Sequence, residues 1–150
     1  MAAIHADMLI KAPADTVWTT IMDPHRLSDW VTIHCEVSEI SRGPARVGYE
    51  MTQTIHLHGA RFNVRWTLTA CEPGRRAVWE GRGPARSKAW IEYRLTPEGD
   101  ATRFRYSNEF RAPLGPLGAA AGRALVGGIS EREANRSLTQ LKELLEHPAR

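Results

Sequence analysis

Cysteine is scarce in this chain of 150 residues, which contains only Cys35 and Cys71. Their wide separation excludes the closely spaced pairs of zinc ribbons and thioredoxin-type redox motifs, and two thiols are too few for a disulfide scaffold. We therefore expect reduced thiols in a cytoplasmic protein. Serine never falls in the Gly-x-Ser-x-Gly pattern of a nucleophile elbow, so nothing in the sequence indicates a hydrolase of that type.

Long apolar runs are also lacking. No stretch approaches the roughly 20 apolar residues that a membrane-spanning helix needs. Asp7 and Lys11 interrupt the N-terminal apolar segment, where a signal peptide would require continuity. We expect a single domain over residues 1–150, long enough to bury its own core.

Acidic residues are slightly fewer than basic ones: the chain has 17 acidic and 20 basic residues, which give a net charge of +3. Between residues 60 and 71, polar side chains such as Arg61 and Arg65 alternate with apolar ones such as Phe62 and Trp66. This period of two predicts a strand with one wet and one buried face. Glutamates such as Glu92 are interleaved on other strands, so we interpret the arginines as a solubilising outer face and expect no nucleic-acid partner.

The remaining patterns predict mostly strands joined by short turns. Seven strands are predicted, at residues 4–10, 33–40, 47–57, 60–71, 76–81, 87–95 and 102–110. Two short helices are predicted between the first two strands, one at 15–21 capped by Asp15 and one at 25–30. One long amphipathic helix is predicted at 113–146. Its apolar face must pack on the antiparallel sheet, which predicts an α+β fold that encloses a space.

Three segments carry a resemblance to a known family. Residues 12–18 (APADTVW) and 23–30 (DPHRLSDW) resemble the opening of the START-like (SRPBCC) superfamily, and residues 137–142 (SLTQLK) resemble its ending. Within it, the chain is most similar to bacterial polyketide cyclase/dehydrase-type and lipid-transport-like members. The resemblance implies a helix-grip fold, in which a seven-stranded curved antiparallel sheet wraps around a long C-terminal helix over a hydrophobic cavity. It says less about function, because one fold supports many activities.

Residues at inward-facing strand positions would line that cavity. They are Tyr49, Met51, Gln53, Phe62, Val64, Trp66, Trp79, Tyr93, Phe104, Tyr106 and Asn108. Ordinary core packing accounts equally well for most of them. Gln53 and Asn108 differ, because a buried amide without a partner costs about 1–3 kcal/mol, so a core partner, a water or a ligand group must satisfy each. Stacking walls for a flat aromatic ligand would be formed by Trp66, Trp79, Tyr93 and Tyr106.

The terminal helix and the second short helix supply the other candidates. On the inward face of the long helix, Ala124 and Gly127 would leave space, whereas Leu138 would fill it. Glu131 lies at the junction and would be the cavity's only carboxylate, or else would form a salt bridge or point into water. The resemblance places Trp30 near the cavity rim, as a half-buried gate or as a structural plug.

Histidines give the one candidate metal arrangement. His34, His56 and His58 are predicted on the outer face of neighbouring strands, where three imidazoles can bind zinc. No second shell of carboxylates accompanies them. We interpret them as surface residues and expect neither a metal nor another cofactor.

Two functions remain open. The chain would bind a hydrophobic small molecule, such as a lipid, a polyketide or another aromatic compound, in the cavity between the sheet and the C-terminal helix. Alternatively, it would be a polyketide cyclase or dehydratase, with Tyr93, Tyr106 or Glu131 transferring protons. The absence of an inward histidine favours binding alone. The sequence does not distinguish a monomer from a homodimer.

Overall fold

The computed structural model describes residues 2–57, 59–111 and 130–147. Over these ranges, the strands are β1 (Ala2–Ile10), β2 (His34–Ser38), β3 (Glu50–Leu57), β4 (Ala60–Glu72), β5 (Arg76–Arg82), β6 (Lys88–Glu98) and β7 (Ala101–Arg111). The helices are α1 (Ala14–Ile21), α2 (Leu27–Trp30) and α3 (Glu131–Glu146), with short 3-10 turns at Pro24–Arg26 and Pro84–Arg86.

The strands form one antiparallel sheet in the order β1-β7-β6-β5-β4-β3-β2. The sheet is curled, the two short helices lie between β1 and β2 in the chain, and α3 follows the sheet, which confirms the predicted α+β helix-grip fold. Predicted strand limits differ by a few residues. For example, β3 begins at Glu50 because Gly48, with φ of +94°, belongs to the preceding turn.

The outer face of the sheet carries opposite charges on neighbouring strands, as the alternation predicted. Arg103 Nη1 on β7 lies 2.6 Å from Asp7 Oδ1 on β1. Arg76 Nε on β5 lies 2.6 Å from Glu92 Oε2 on β6. These partly exposed pairs add little stability, but they give Arg76 and Arg103 acidic partners within the protein.

The start of α3 corrects the prediction of one helix from 113 to 146. Ser130 has extended backbone angles (φ −77°, ψ 158°), and its Oγ accepts the N–H of Glu133 at 3.1 Å. Ser130 is therefore an N-cap, and the helix does not continue through it. The Ser-x-x-Glu spacing of residues 130–133 is a start signal that the sequence contained. Ala124 and Gly127 lie outside the described residues.

The predicted starts of the short helices are also corrected. Pro13 occupies the N-cap of α1, and no side chain caps that helix. Asp15 instead lies in the first turn, where a carboxylate is favourable at the positive end of the helix dipole. The helix predicted at 25–30 is divided into two short elements. The first is a 3-10 turn, at whose start the backbone N–H of His25 donates to Asp23 Oδ1, and the second is the single turn of α2.

Helix α3 is fixed to the sheet by apolar burial and by polar contacts at both ends. Leu138 and Leu141 are fully buried, which is worth roughly 1.5–3 kcal/mol for each side chain. Near the C-terminal end, Lys142 Nζ donates to the carbonyl oxygen of Leu9 at 3.0 Å. Near the N-terminal end, Ser137 Oγ accepts the backbone N–H of Thr32 at 3.1 Å. These contacts hold the helix across the concave face of the sheet.

Candidate functional site

A cavity of about 110 Å³ lies between the concave face of the sheet, the short helices and the first half of α3. A water needs roughly 10–15 Å³ of such space, so the cavity has room for several waters or a small ligand. The predicted residues that line it are Trp30, Met51, Gln53, Phe62, Val64, Trp66, Trp79, Tyr93, Tyr106 and Asn108. The structure thus brings together most of the inward positions of five strands, although their contact with a ligand stays a prediction.

Five predicted site residues, Glu131 among them, are placed elsewhere or lie outside the description. Tyr49 is buried but does not line the cavity, and its ring meets Trp79 edge-on at 6.3 Å. Phe104 is 0% exposed and packs behind the wall, against Tyr93 at 5.5 Å. Ala124 and Gly127 belong to the residues that are not described.

The structure does not place Glu131 in the cavity, where it was one of the predicted site residues. It lies in the first turn of α3, its side chain is exposed, and it is absent from the described cavity lining. Glu131 shares its helix face with the buried Ala134 and Leu138, but it is the first residue of α3, and at that end of the helix its side chain reaches solvent. The alternative interpretation, in which the carboxylate points into water, is the one that agrees with the structure.

Several lining residues were missed by the sequence analysis. They come from the short helices, from the β5–β6 connection and from α3, and include Ile21, Met22, Leu27, Pro84, Ser87 and Ser137, whereas Leu138 was predicted on the inward face of the helix and does line the cavity. The apolar positions of the short helices were visible in the sequence. Which wall of the cavity they would form was not, because it depends on how α1 and α2 pack across the open end of the sheet.

Gln53 is held by two hydrogen bonds inside the cavity wall. Trp66 Nε1 donates to Gln53 Oε1 at 2.9 Å. Because an indole nitrogen can only donate, this contact fixes which end of the amide is the oxygen. The amide nitrogen of Gln53 then faces His34 Nδ1 at 2.9 Å and must donate to it. The amide that the sequence left without a partner is therefore satisfied from both sides.

His34 is consequently placed differently from the prediction, which put it on the outer face. The pairing of β2 with β3 shifts register between His34 and Glu36. Such a bulge inserts one residue and reverses the side on which the preceding side chain lies. Nδ1 accepts a hydrogen bond, so the ring is neutral with its proton on Nε2. Burial lowers the pKa of His34 and outweighs the opposing effect of Glu36.

Gly81 allows the Trp66 ring to lie flat over β5. A Cβ atom at this position would fall 2.6 Å from the Trp66 ring and 2.8 Å from a Val64 methyl group. Any larger residue would push both side chains away from their places in the wall. The glycine thus contributes to the cavity shape without contacting its contents.

The second predicted amide, Asn108, also has a protein partner, since its Nδ2 donates to the hydroxyl oxygen of Tyr106 at 2.8 Å. The Tyr106 ring lies 6.1 Å from that of Tyr93. Burial raises the pKa of Tyr106 to about 12, and the bond from Asn108 opposes this only in part. Burial also raises the pKa of Tyr93 far above its ordinary value. Both hydroxyls therefore stay protonated near neutral pH and act as donors.

Trp30 is 1% exposed, so it is not the half-buried gate that was one of two predictions. Its indole lies 6.2 Å from the Tyr93 ring and 6.3 Å from the Phe104 ring, as a plug would. Its Nε1–H has no hydrogen-bond partner within the described ranges. In the described part of the chain, it is the one buried side-chain nitrogen or oxygen in that state.

The histidines do not come together as a metal site in the described ranges. No group of three histidine, cysteine or acidic side chains there is arranged to hold a metal ion. His34 is bonded to Gln53, His56 is exposed, and His58 lies outside the description. None of the helices within residues 2–57, 59–111 and 130–147 is long and apolar enough to cross a membrane.

Comparison with known proteins gives similar sequences and folds. A profile of the polyketide cyclase/dehydrase and lipid transport family matches residues 1–146. The "Uncharacterized protein Rv1546" of Mycobacterium tuberculosis (strain ATCC 25618 / H37Rv) is 29% identical over 143 residues, which cover 94% of this chain and 95% of the relative.

Two solved structures show the same fold. TTHA0849 from Thermus thermophilus has a TM-score of 0.78 at 16% identity and covers 99% of this chain and 100% of its own. The Aha1 dimer from Colwellia psychrerythraea, a solution structure, has a TM-score of 0.63 at 19% identity, with 98% of each chain covered. At such identities, the likeness concerns the fold alone.

Proposed function

Because this chain belongs to the polyketide cyclase/dehydrase and lipid transport family, within the START-like superfamily, we propose that it binds a hydrophobic small molecule in the cavity beneath α3. The ligand would be a lipid, a polyketide or another aromatic compound. The observation that carries the proposal is the wall itself, in which aromatic and aliphatic side chains from the strands and the short helices meet around unfilled space.

The polar groups of the wall favour binding over chemistry. Gln53 is already bonded to Trp66 and His34. Burial raises the pKa of the Tyr93 and Tyr106 hydroxyls, so neither is ionised to act as a base and both are weaker acids than an ordinary tyrosine. The described lining includes no carboxylate and no histidine. General acid–base catalysis needs a group that titrates near the working pH, and no described residue of the wall fits that need.

Cyclisation by shape alone is the alternative, and membership of a family that includes cyclases supports it. A rigid aromatic wall can hold a flexible chain in one folded form, so that one ring closure is near its reacting geometry. Such a protein would still bind its substrate through the same apolar surface. Binding is therefore the property to test first.

The hydrophobic contribution is large enough to measure. Burying about 200 Å² of apolar ligand surface is worth about 5 kcal/mol at roughly 25 cal/mol per Å². Part of this is lost to the cost of immobilising the ligand. Since about 5 kcal/mol corresponds to a dissociation constant of about 0.2 mM, dissociation constants of about 0.2 mM or somewhat weaker are expected for an uncharged two-ring compound.

The test uses N-phenyl-1-naphthylamine, an uncharged fluorescent probe, with a cavity-filling variant and a matched control. Ala89 lines the cavity and is half-buried, whereas Ala101 is half-buried on β7 outside the lining. Ala89→Leu should weaken probe binding by about tenfold or more, because its added carbons occupy the ligand's space. Ala101→Leu should leave the dissociation constant within about twofold.

A folded wild-type protein that binds neither this probe nor any co-purifying apolar compound detectable by native mass spectrometry would overturn the proposal. Equal losses of affinity in the two leucine variants would place binding outside this cavity.

A further inference from the structure

Among the three buried tryptophans that line the cavity, Trp30 and Trp66 are treated differently by this fold. Trp66 Nε1–H donates to Gln53 Oε1 at 2.9 Å. Trp30 also lines the cavity, yet its Nε1–H has no partner among the described residues. Leaving a buried donor without an acceptor costs about 1–3 kcal/mol. A side chain of this kind at the wall of a binding cavity points to an acceptor that arrives with the ligand.

From this difference we infer that the ligand carries an uncharged acceptor oxygen, of the ketone, aldehyde or ester carbonyl type, and that Trp30 Nε1–H donates to it. The inference rests on the proposed function, because it requires a ligand in this cavity. It adds a chemical class for that ligand and a recognition residue.

The neighbouring hydroxyls supply donors rather than acceptors. The Tyr93 ring lies 6.2 Å from Trp30 and 6.1 Å from Tyr106, so the three polar groups belong to one continuous aromatic wall. The Tyr106 oxygen already accepts from Asn108. Among the described residues, no acceptor takes the hydroxyl proton of either tyrosine. A carbonyl oxygen, which only accepts, would therefore complement the wall, whereas an alcohol would accept there but would bring a further proton that itself needs an acceptor.

The surroundings of Trp30 favour a neutral carbonyl over a carboxylate. Trp30 packs against the rings of Tyr93 and Phe104, and α2 brings no basic side chain to the lining. Lys88, at the start of β6, is the single cationic side chain in the described lining. A buried carboxylate that lacks a close counter-charge is strongly disfavoured. A carbonyl requires only the donor that Trp30 offers.

The test compares two probes of nearly equal shape, 2-acetylnaphthalene and 2-ethylnaphthalene, which differ by an oxygen in place of two hydrogens. The measured quantity is the ratio of their dissociation constants, obtained by competition with N-phenyl-1-naphthylamine. Trp30→Phe keeps an aromatic plug and removes the N–H. The preference for the ketone should fall about threefold to tenfold in this variant, the worth of one typical hydrogen bond, while 2-ethylnaphthalene still binds.

Trp79→Phe is the matched control, because Trp79 is another buried tryptophan of the lining. It should leave the ratio unchanged. A ratio that stays unchanged in Trp30→Phe, or that falls in Trp79→Phe instead, would overturn the inference.

Nuclear magnetic resonance of the wild-type protein keeps the inference testable if Trp30→Phe does not fold. The indole N–H resonance of Trp30, assigned through its own spin system, should move downfield with 2-acetylnaphthalene and much less with 2-ethylnaphthalene. Equal shifts with both probes would overturn the inference while leaving the proposed function intact. If neither probe binds, the proposed function itself fails.

Discussion

The hydrogen bond between Trp66 and Gln53 can be measured as a coupling free energy, and its value follows from burial. Both side chains are buried, and Trp66 Nε1 donates to Gln53 Oε1 at 2.9 Å. Gln53→Leu leaves the Trp66 N–H without an acceptor, and Trp66→Phe leaves the Gln53 oxygen without a donor. Each orphaned group adds about 1–3 kcal/mol to the cost of its single substitution.

In the double variant, neither group is orphaned, because both polar atoms have been removed. We therefore expect the double variant to be more stable than the sum of the single losses predicts, by about 1–3 kcal/mol. The loss of ring volume over Gly81 in Trp66→Phe is common to the single and the double variant, so it cancels in the cycle. Gln53→Leu also removes the hydrogen bond to half-buried His34, but this loss occurs in both the single and the double variant and therefore cancels as well.

The assay is urea denaturation of the four proteins, followed by far-ultraviolet circular dichroism so that the missing tryptophan does not affect the signal. The control is a second cycle in which Trp79→Phe replaces Trp66→Phe, since no hydrogen bond joins Trp79 to Gln53. That cycle should be additive within about 0.5 kcal/mol. If the Trp66–Gln53 cycle is equally additive, the hydrogen bond does not stabilise the wall and the reasoning is refuted.

Two further predictions concern other parts of the fold. Because burial lowers the pKa of His34 below its ordinary 6.5, the folded state prefers neutral histidine. Its stabilising contribution is present above pH 6.5 and is lost as the pH falls through the folded-state value. The His34→Asn variant keeps an acceptor for Gln53 and serves as the reference. Thermal denaturation should show that the difference in stability between the wild type and this variant declines from about pH 8 to about pH 5. A difference that stays constant over this range would contradict the prediction. Ser130→Ala should cost about 1 kcal/mol in urea denaturation by removing the cap of α3, and Ser130→Asp should not.

The inward positions of the strands could be predicted from the sequence because a strand has a period of two. Phe62, Val64 and Trp66 alternate with polar residues, and one face of such a strand must be buried whatever its neighbours are. All three line the cavity. The presence of a covering C-terminal helix followed in the same way from the buried leucines Leu138 and Leu141.

Positions that depend on a departure from regular geometry could not be predicted by extending a period. The bulge after His34 turns its ring toward Gln53, and the N-cap at Ser130 makes Glu131 the first residue of α3, at the exposed end of the helix. The sequence held a capping signal for the second of these. It held no comparable signal for the bulge, because the register of β2 depends on its pairing with β3.

Local patterning by itself thus determined which elements form and which of their faces are apolar, since periodicity and burial of nonpolar surface act along a single segment. Only the tertiary structure decided what each buried polar group meets. It gave Gln53 two partners, gave Asn108 the hydroxyl of Tyr106, and left Trp30 Nε1 with none among the described residues. A hydrogen bond requires two atoms within about 3 Å and in line, and for residues distant in the chain that coincidence exists only once the elements have packed.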